Sequence, residues 1–98
     1  IRWLGRETAL DGLFAALGKY AQEKKISPLK ALKEFEAIIN NVNNKNIFNL
    51  KEYEEARNSL ELSKVNIGNV NKKAVFKAIY DVLKLNKKKI IWKDYFNG

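Results

Sequence analysis

Apolar residues recur at intervals of three and four positions in four separate segments of this 98-residue chain. This spacing constrains the fold more than any other feature, because such positions share one face of an α-helix. The four apolar stripes begin at Leu10, Leu29, Leu50 and Val75. No linker rich in Gly, Ser or Pro divides them, so we expect a single domain over residues 1–98. Because the chain starts at Ile1 and contains no Met, we interpret it as a fragment of a longer protein.

Helix starts are indicated by residues that can cap free backbone N–H groups. Thr8 precedes the first stripe, and Ser27 followed by Pro28 precedes the second. Asn49, with an acidic residue three positions later, predicts the start of the third helix. Asn71 is the predicted cap of the fourth helix.

Two terminal segments have the composition of short strands. Residues 1–4 alternate apolar and polar side chains, and residues 90–96 are rich in β-formers. The predicted fold is therefore mainly α, a four-helix domain whose short terminal β-strands could pair. The third and fourth helices, joined by a loop over residues 64–70, could form a helix-turn-helix variant.

The absence of certain residue types excludes several function classes. Without Cys, the chain forms no disulfide and no thiolate metal site, and a reducing, cytoplasmic setting is the simplest interpretation. Without His, it lacks the commonest general base and transition-metal ligand. No apolar run is long enough to span a membrane, so we expect no membrane partner. We also expect no cofactor.

Positive charge is concentrated in the last third of the chain. Residues 1–63 contain ten basic and nine acidic residues, whereas residues 64–98 contain nine Lys and two Asp. An anionic partner follows from this asymmetry, and duplex DNA is our first hypothesis because neutralised phosphates release counterions. The candidate phosphate-binding residues are Lys72, Lys73, Lys77, Lys84, Lys87, Lys88, Lys89 and Lys93.

The spacing of Lys73, Lys77, Lys84 and Lys88 predicts that they share one face of the fourth helix, with Tyr80 between them. The alternative is a solvated helix face whose lysines reflect an AT-rich genome, and acidic proteins or lipid head groups are other anionic partners. Guanine is read best by Arg, and the chain contains only Arg2, Arg6 and Arg57. Phosphate contact by Lys is therefore better supported than sequence reading.

Aromatic residues near both ends allow two interpretations. Trp3, Trp92, Tyr95 and Phe96 could form a base-stacking platform, or they could belong to the core. A second function hypothesis is a non-enzymatic protein-interaction or structural module, in which an exposed patch of Ile90, Trp92 and Phe96 would mediate homodimerisation or docking to other domains of the parent protein.

Catalytic constellations are lacking in the sequence. Glu52, Glu54 and Glu55 are too close along the third helix to face one another as an acid–base pair. The glycines are isolated and form no phosphate-cradling loop. We therefore expect no enzymatic activity.

The opening Ile1-x-Trp3-x-Gly5, followed by Leu10, Leu13 and Leu17, resembles the C-terminal region of RteC-type proteins, which are regulators found on Bacteroides conjugative transposons. The similarity extends over most of residues 1–86. The later similar positions are Phe35, Phe48, Asn49, Leu50, Tyr53, Arg57, Phe76, Ile79 and Leu83. The resemblance implies a DNA-binding regulator of mobile-element transfer.

Overall fold

The computed structural model describes residues 7–44, 46–61 and 67–96, and within these ranges the chain contains helices and connecting loops but no strand. The helices are α1 (Glu7–Lys24), α2 (Pro28–Ile39), α3 (Leu50–Glu61), α4 (Ile67–Lys84) and α5 (Trp92–Phe96), with a short 3₁₀ turn at Val42–Asn44. The mainly helical fold and the four predicted long helices are confirmed. In the described ranges, no helix is both long enough and apolar enough to cross a membrane.

Two of the predicted caps are present. The Ser27 side chain accepts a hydrogen bond from the Lys30 backbone N–H at 3.1 Å, with Pro28 in the first turn of α2. Asn49 Oδ1 accepts from the Glu52 backbone N–H, also at 3.1 Å. Each bond satisfies a backbone donor that the helix leaves unpaired, so these starts are fixed locally. The predicted cap of the first helix, Thr8, is not at the helix start, because α1 begins at Glu7 and includes Thr8.

The two longest helices, α1 and α4, pack along each other and form the centre of the domain. Small residues at their interface let the backbones approach closely. A Cβ atom placed on Gly12 would lie 2.6 Å from the Lys72 carbonyl oxygen and 2.9 Å from Val75 Cβ. Ala16 on α1 and Ala78 on α4 are fully buried. This close approach holds α4 in place and leaves its opposite side to solvent.

A second part of the core surrounds Trp92. The Trp92 ring lies 4.8 Å from the Tyr53 ring in an edge-on arrangement, 6.2 Å from Phe48 and 6.1 Å from Phe96. The predicted strand over residues 90–96 is therefore wrong, because Trp92–Phe96 is the helix α5. Residues four apart in a helix share a side, so Trp92 and Phe96 both reach α3. The predicted partner, residues 1–4, lies outside the described residues.

The start of α4 also corrects a prediction. Helix α4 begins at Ile67, four residues before Asn71, so Asn71 is not its cap and the predicted loop over residues 64–70 is partly helical. The Asn71 side chain is fully buried, and its Oδ1 accepts a hydrogen bond from the Tyr53 hydroxyl at 2.6 Å. Because a buried amide needs such a partner, this bond explains why an Asn is tolerated in the core.

Three residues of the predicted apolar stripes are exposed. Phe14 on α1 and Leu29 on α2 are each 62% exposed, and Val42 after α2 is 80% exposed. Leu13 and Leu17, in contrast, are buried as predicted. Isolated apolar side chains on a surface are ordinary in small domains.

Candidate nucleic-acid interface

All eight lysines predicted to contact phosphate are exposed to solvent. Four of them lie on α4, and three of these, Lys73, Lys77 and Lys84, share one side of the helix. At about 100° per residue they fall within an arc of about 40°, opposite the buried Val75 and Val82. We call these three lysines the α4 basic face.

The remaining five lysines do not belong to this face. Lys72 lies at the edge of α4 next to α1, where its carbonyl oxygen approaches Gly12. Lys88 was expected to continue the helical stripe, but α4 ends at Lys84, so Lys88 lies in the loop that follows. Lys87 and Lys89 share this loop, and Lys93 belongs to α5. The basic residues therefore form a helical face and a separate loop group, and Lys72 and Lys93 belong to neither.

Lys84 is partly neutralised by α1. Its Nζ lies 3.9 Å from Glu23 Oε1, and both side chains are substantially exposed. Glu23 also accepts a hydrogen bond from the Tyr80 hydroxyl, and this bond is the main cause of the raised Tyr80 pKa. An exposed ion pair of this kind contributes about 1 kcal/mol or less, so a phosphate could compete with Glu23 for Lys84.

Lys19 of α1 adds a positive charge beside the α4 basic face. Its Nζ lies 4.7 Å from the Tyr80 ring centroid and 5.7 Å from that of Phe76, and the two rings stack at 6.2 Å. Such cation–π contacts hold the ammonium group against the surface. The spacing of Phe76 and Tyr80, four apart on a helix, is a local signal for the aromatic pair. It did not indicate that α1 lies beside them.

Lys87 is engaged in a structural cluster at the end of α4. Its Nζ donates to the Tyr95 hydroxyl at 3.1 Å and lies 3.9 Å from Asp81 Oδ2. The Tyr95 hydroxyl in turn donates to Asp81 at 2.5 Å. Burial, followed by this bond to Asp81, raises the pKa of Tyr95, and the bond to Tyr95 raises the pKa of Lys87. The cluster joins α4 to α5, so Lys87 is the least available of the eight lysines.

Lys88, Lys89 and Lys93 line two cavities that differ in their other lining residues. One, of about 320 Å³, is lined by Glu52, Glu55, Lys89, Ile91, Trp92 and Lys93. The other, of about 350 Å³, is lined by Asn43, Asn46, Ile47, Asn49, Lys88 and Lys89. Lys93 therefore shares its surroundings with carboxylates from α3, whereas Lys88 lies among amide side chains. Lys89 lines both cavities.

Of the two interpretations of the aromatic residues, the base-stacking platform is not present among the described residues. Trp92 and Phe96 are 1% and 4% exposed, and Tyr95 is half-buried and bonded to Asp81. These aromatics belong to the core, as the alternative interpretation held, while Trp3 lies outside the described residues. The prediction of an exposed docking patch is also wrong, because its three residues, Ile90, Trp92 and Phe96, are all buried.

The other candidate residues form no evident reactive site. Glu54 and Glu55 are exposed on α3, and no three potential metal ligands gather among the residues in 7–44, 46–61 and 67–96. Arg57 is half-buried and engaged in an interaction. Arg2 and Arg6 lie outside the described ranges.

Comparison of the chain with protein-family models, curated proteins and solved structures finds no match. The resemblance to RteC-type proteins accordingly stays a prediction.

Proposed function

We propose that this domain binds duplex DNA by contacting its phosphates with the exposed lysines of α4 and of the segment that follows it. One observation carries the proposal. In the part of the chain that the structure describes, six of the eight candidate lysines have no carboxylate oxygen within 4 Å. These six are Lys72, Lys73, Lys77, Lys88, Lys89 and Lys93. An exposed ammonium group without a protein counter-ion gains the most from meeting a phosphate.

The length of the α4 basic face suits a duplex. Eleven residues separate Lys73 from Lys84, which corresponds to about 16 Å along the helix axis. A duplex carries one charge per about 1.7 Å of its axis, so a length of about 16 Å carries roughly ten phosphates around its circumference. This density of phosphates is sufficient to supply one partner for each of the three lysines.

Binding of this type should be weakly selective for sequence. Lys supplies a point charge, whereas bidentate recognition of guanine is a property of Arg. We expect dissociation constants in the range of about 10⁻⁴ to 10⁻⁶ M that is typical of non-specific binding at physiological salt. The domain would act as a regulatory or accessory DNA-binding module, not as an enzyme, within a cytoplasmic protein.

In a more specific form of the proposal, α3 and α4 act as a helix-turn-helix variant that binds the duplex. In the structure α3 packs mainly against α5, and α4 packs mainly against α1. This arrangement favours contact through the exposed side of α4 over presentation of a recognition helix by a short α3–α4 turn. A role in mobile-element transfer depends on the RteC resemblance alone.

Fluorescence anisotropy with a random duplex tests the proposal against a charge-matched control. The test variant is Lys73→Gln/Lys77→Gln/Lys88→Gln. The control replaces exposed lysines elsewhere, Lys30→Gln/Lys33→Gln/Lys51→Gln, with the same loss of charge. In 0.1 M salt each lost phosphate contact should cost about 0.9 logarithmic units of affinity.

The test variant should therefore bind at least tenfold more weakly than wild type, and the control less than threefold. Equal losses in both variants would mean that net charge, not this surface, attracts DNA. Failure of the wild type to bind in low salt would refute the proposal altogether.

The alternative function is a non-enzymatic protein-interaction or structural module. Its predicted patch is buried, so this function would require another surface, and the exposed apolar side chains Phe14 and Leu29 are the sites at which to test it. Light scattering of wild type and Phe14→Ser/Leu29→Ser separates the two functions. A wild-type dimer that the double variant disrupts would support the interaction module.

A further inference from the structure

The Asn-rich segment between α2 and α3 forms one wall of a cavity of which the DNA-binding proposal uses only Lys88 and Lys89. The cavity of about 350 Å³ lies where this segment meets the loop after α4. Three of its described lining residues, Asn43, Asn46 and Asn49, carry side-chain amides, and Lys88 and Lys89 carry ammonium groups. Its volume is at the lower end of the range for small-molecule sites.

A backbone hydrogen bond joins the two segments that form the walls of this cavity. The Ile90 backbone N–H donates to the Ile47 carbonyl oxygen at 3.0 Å, and both isoleucine side chains are buried. Asn49 is fixed by its capping bond to the Glu52 N–H. A site whose supporting residues are already in place loses little entropy when a ligand binds.

The charge of the cavity selects an anion. No carboxylate is among its described lining residues, and neither Lys88 nor Lys89 has a carboxylate oxygen within 4 Å in the described ranges. The adjacent cavity differs, because Glu52 and Glu55 line it together with Lys89 and Lys93. An anion would therefore be attracted to the first cavity and repelled by carboxylates in the second.

We propose that this cavity binds a single phosphate group, either that of a small phosphate ester or one phosphate of a nucleic-acid backbone. Lys88 and Lys89 supply positive charge, and the side-chain amides of Asn43 and Asn46 supply N–H donors for the phosphate oxygens. The roughly ten water volumes in the cavity leave space for the substituent of an ester as well as for the phosphate. The proposal goes beyond DNA binding through the α4 basic face, since it concerns a formed pocket and does not require a duplex.

Side-chain and backbone amide NMR signals can detect phosphate at this site directly. Inorganic phosphate and thymidine 5′-monophosphate are titrated at constant ionic strength against chloride, with thymidine as the uncharged control. We expect saturable shifts at Asn43, Asn46 and Ile47 with both phosphates and none with thymidine. Lys88→Gln/Lys89→Gln should weaken binding at least tenfold, and Asn46→Asp should do the same by placing a carboxylate in the cavity.

The matched control is Lys30→Gln/Lys33→Gln, which removes two exposed charges on α2, outside the cavity, and should change phosphate affinity less than twofold. Dimethyl phosphate distinguishes a backbone phosphate from a small phosphate ester as the ligand. Binding of this diester supports a backbone phosphate, and binding of the monoester alone supports a small phosphate ester. Chloride shifts equal to the phosphate shifts, or equal affinities in the test and control variants, would overturn the proposal.

The two proposals fail in different ways. If phosphate binds in the cavity but a duplex does not bind the protein, DNA binding is wrong and the phosphate site stands. If a duplex binds but phosphate produces no saturable shift, the phosphate site is wrong and DNA binding stands.

Discussion

Replacement of Gly12 by Ala tests the close packing of α1 on α4, which determines which side of α4 is exposed. The added Cβ would lie 2.6 Å from the Lys72 carbonyl oxygen, 2.9 Å from Val75 Cβ and 3.0 Å from the Phe76 backbone nitrogen. Two of these three atoms are backbone and cannot rotate away, so the helices must separate by several tenths of an ångström.

Two opposing effects set the size of the change. Overpacking of this kind costs about 1–3 kcal/mol, and a widened interface also weakens the contacts of buried Ala16 and Ala78. The higher helix propensity of Ala returns about 1 kcal/mol. We expect Gly12→Ala to lower the free energy of unfolding by about 1–2 kcal/mol.

Gly18 in the same helix is the matched control, because a Cβ placed there would meet no atom within 4 Å beyond the adjacent backbone of its own helix. Gly18→Ala should raise the free energy of unfolding by about 0.5–1 kcal/mol through propensity alone. Urea unfolding monitored by circular dichroism measures both variants. If Gly12→Ala is as stabilising as Gly18→Ala, α1 and α4 do not approach each other as the structure has them, and the reasoning fails.

Three further predictions concern buried bonds, local charge and pH. Tyr53→Phe removes the hydrogen bond to buried Asn71 and should lower the free energy of unfolding by about 1–3 kcal/mol, measured in urea. Glu55→Gln removes a carboxylate from the cavity that Lys89 and Lys93 line, so DNA affinity in low salt should rise about twofold. The control Glu36→Gln, on α2, should have a smaller effect. Equal increases in the two variants would contradict local repulsion between Glu55 and the DNA phosphates. Because the folded-state pKa of Tyr95 is raised, its contribution to stability is full below pH 10 and is lost as pH rises through the folded pKa. Stability should therefore decline less steeply above pH 10 in Tyr95→Phe, and an unchanged decline would refute this role.

Local signals predicted the helices well. The caps at Ser27 and Asn49 depend on bonds that span three residues, so a short stretch of sequence contains all that is needed. The exposure of the lysines was also predictable, because an unpaired ammonium group is rarely buried.

Contacts between distant residues account for what the sequence did not predict. Asn71 has the pattern of a cap, but its partner is Tyr53, 18 residues away. Trp92 and Phe96 have side chains that favour strands. In the helix α5, however, the two residues lie on the same side, and both rings contact Tyr53 of α3. Nothing local distinguishes Gly12 from Gly18, although only Gly12 lies against another backbone.

The salt dependence of duplex binding measures most directly whether α4 lysines contact phosphates. With six unpaired lysines engaged, the logarithm of the association constant should fall against the logarithm of the salt concentration with a slope of about −5. Lys73→Gln/Lys77→Gln should make this slope shallower by about 2, since each contact contributes about 0.9. A double variant whose slope equals that of the wild type would contradict contact between the α4 basic face and DNA.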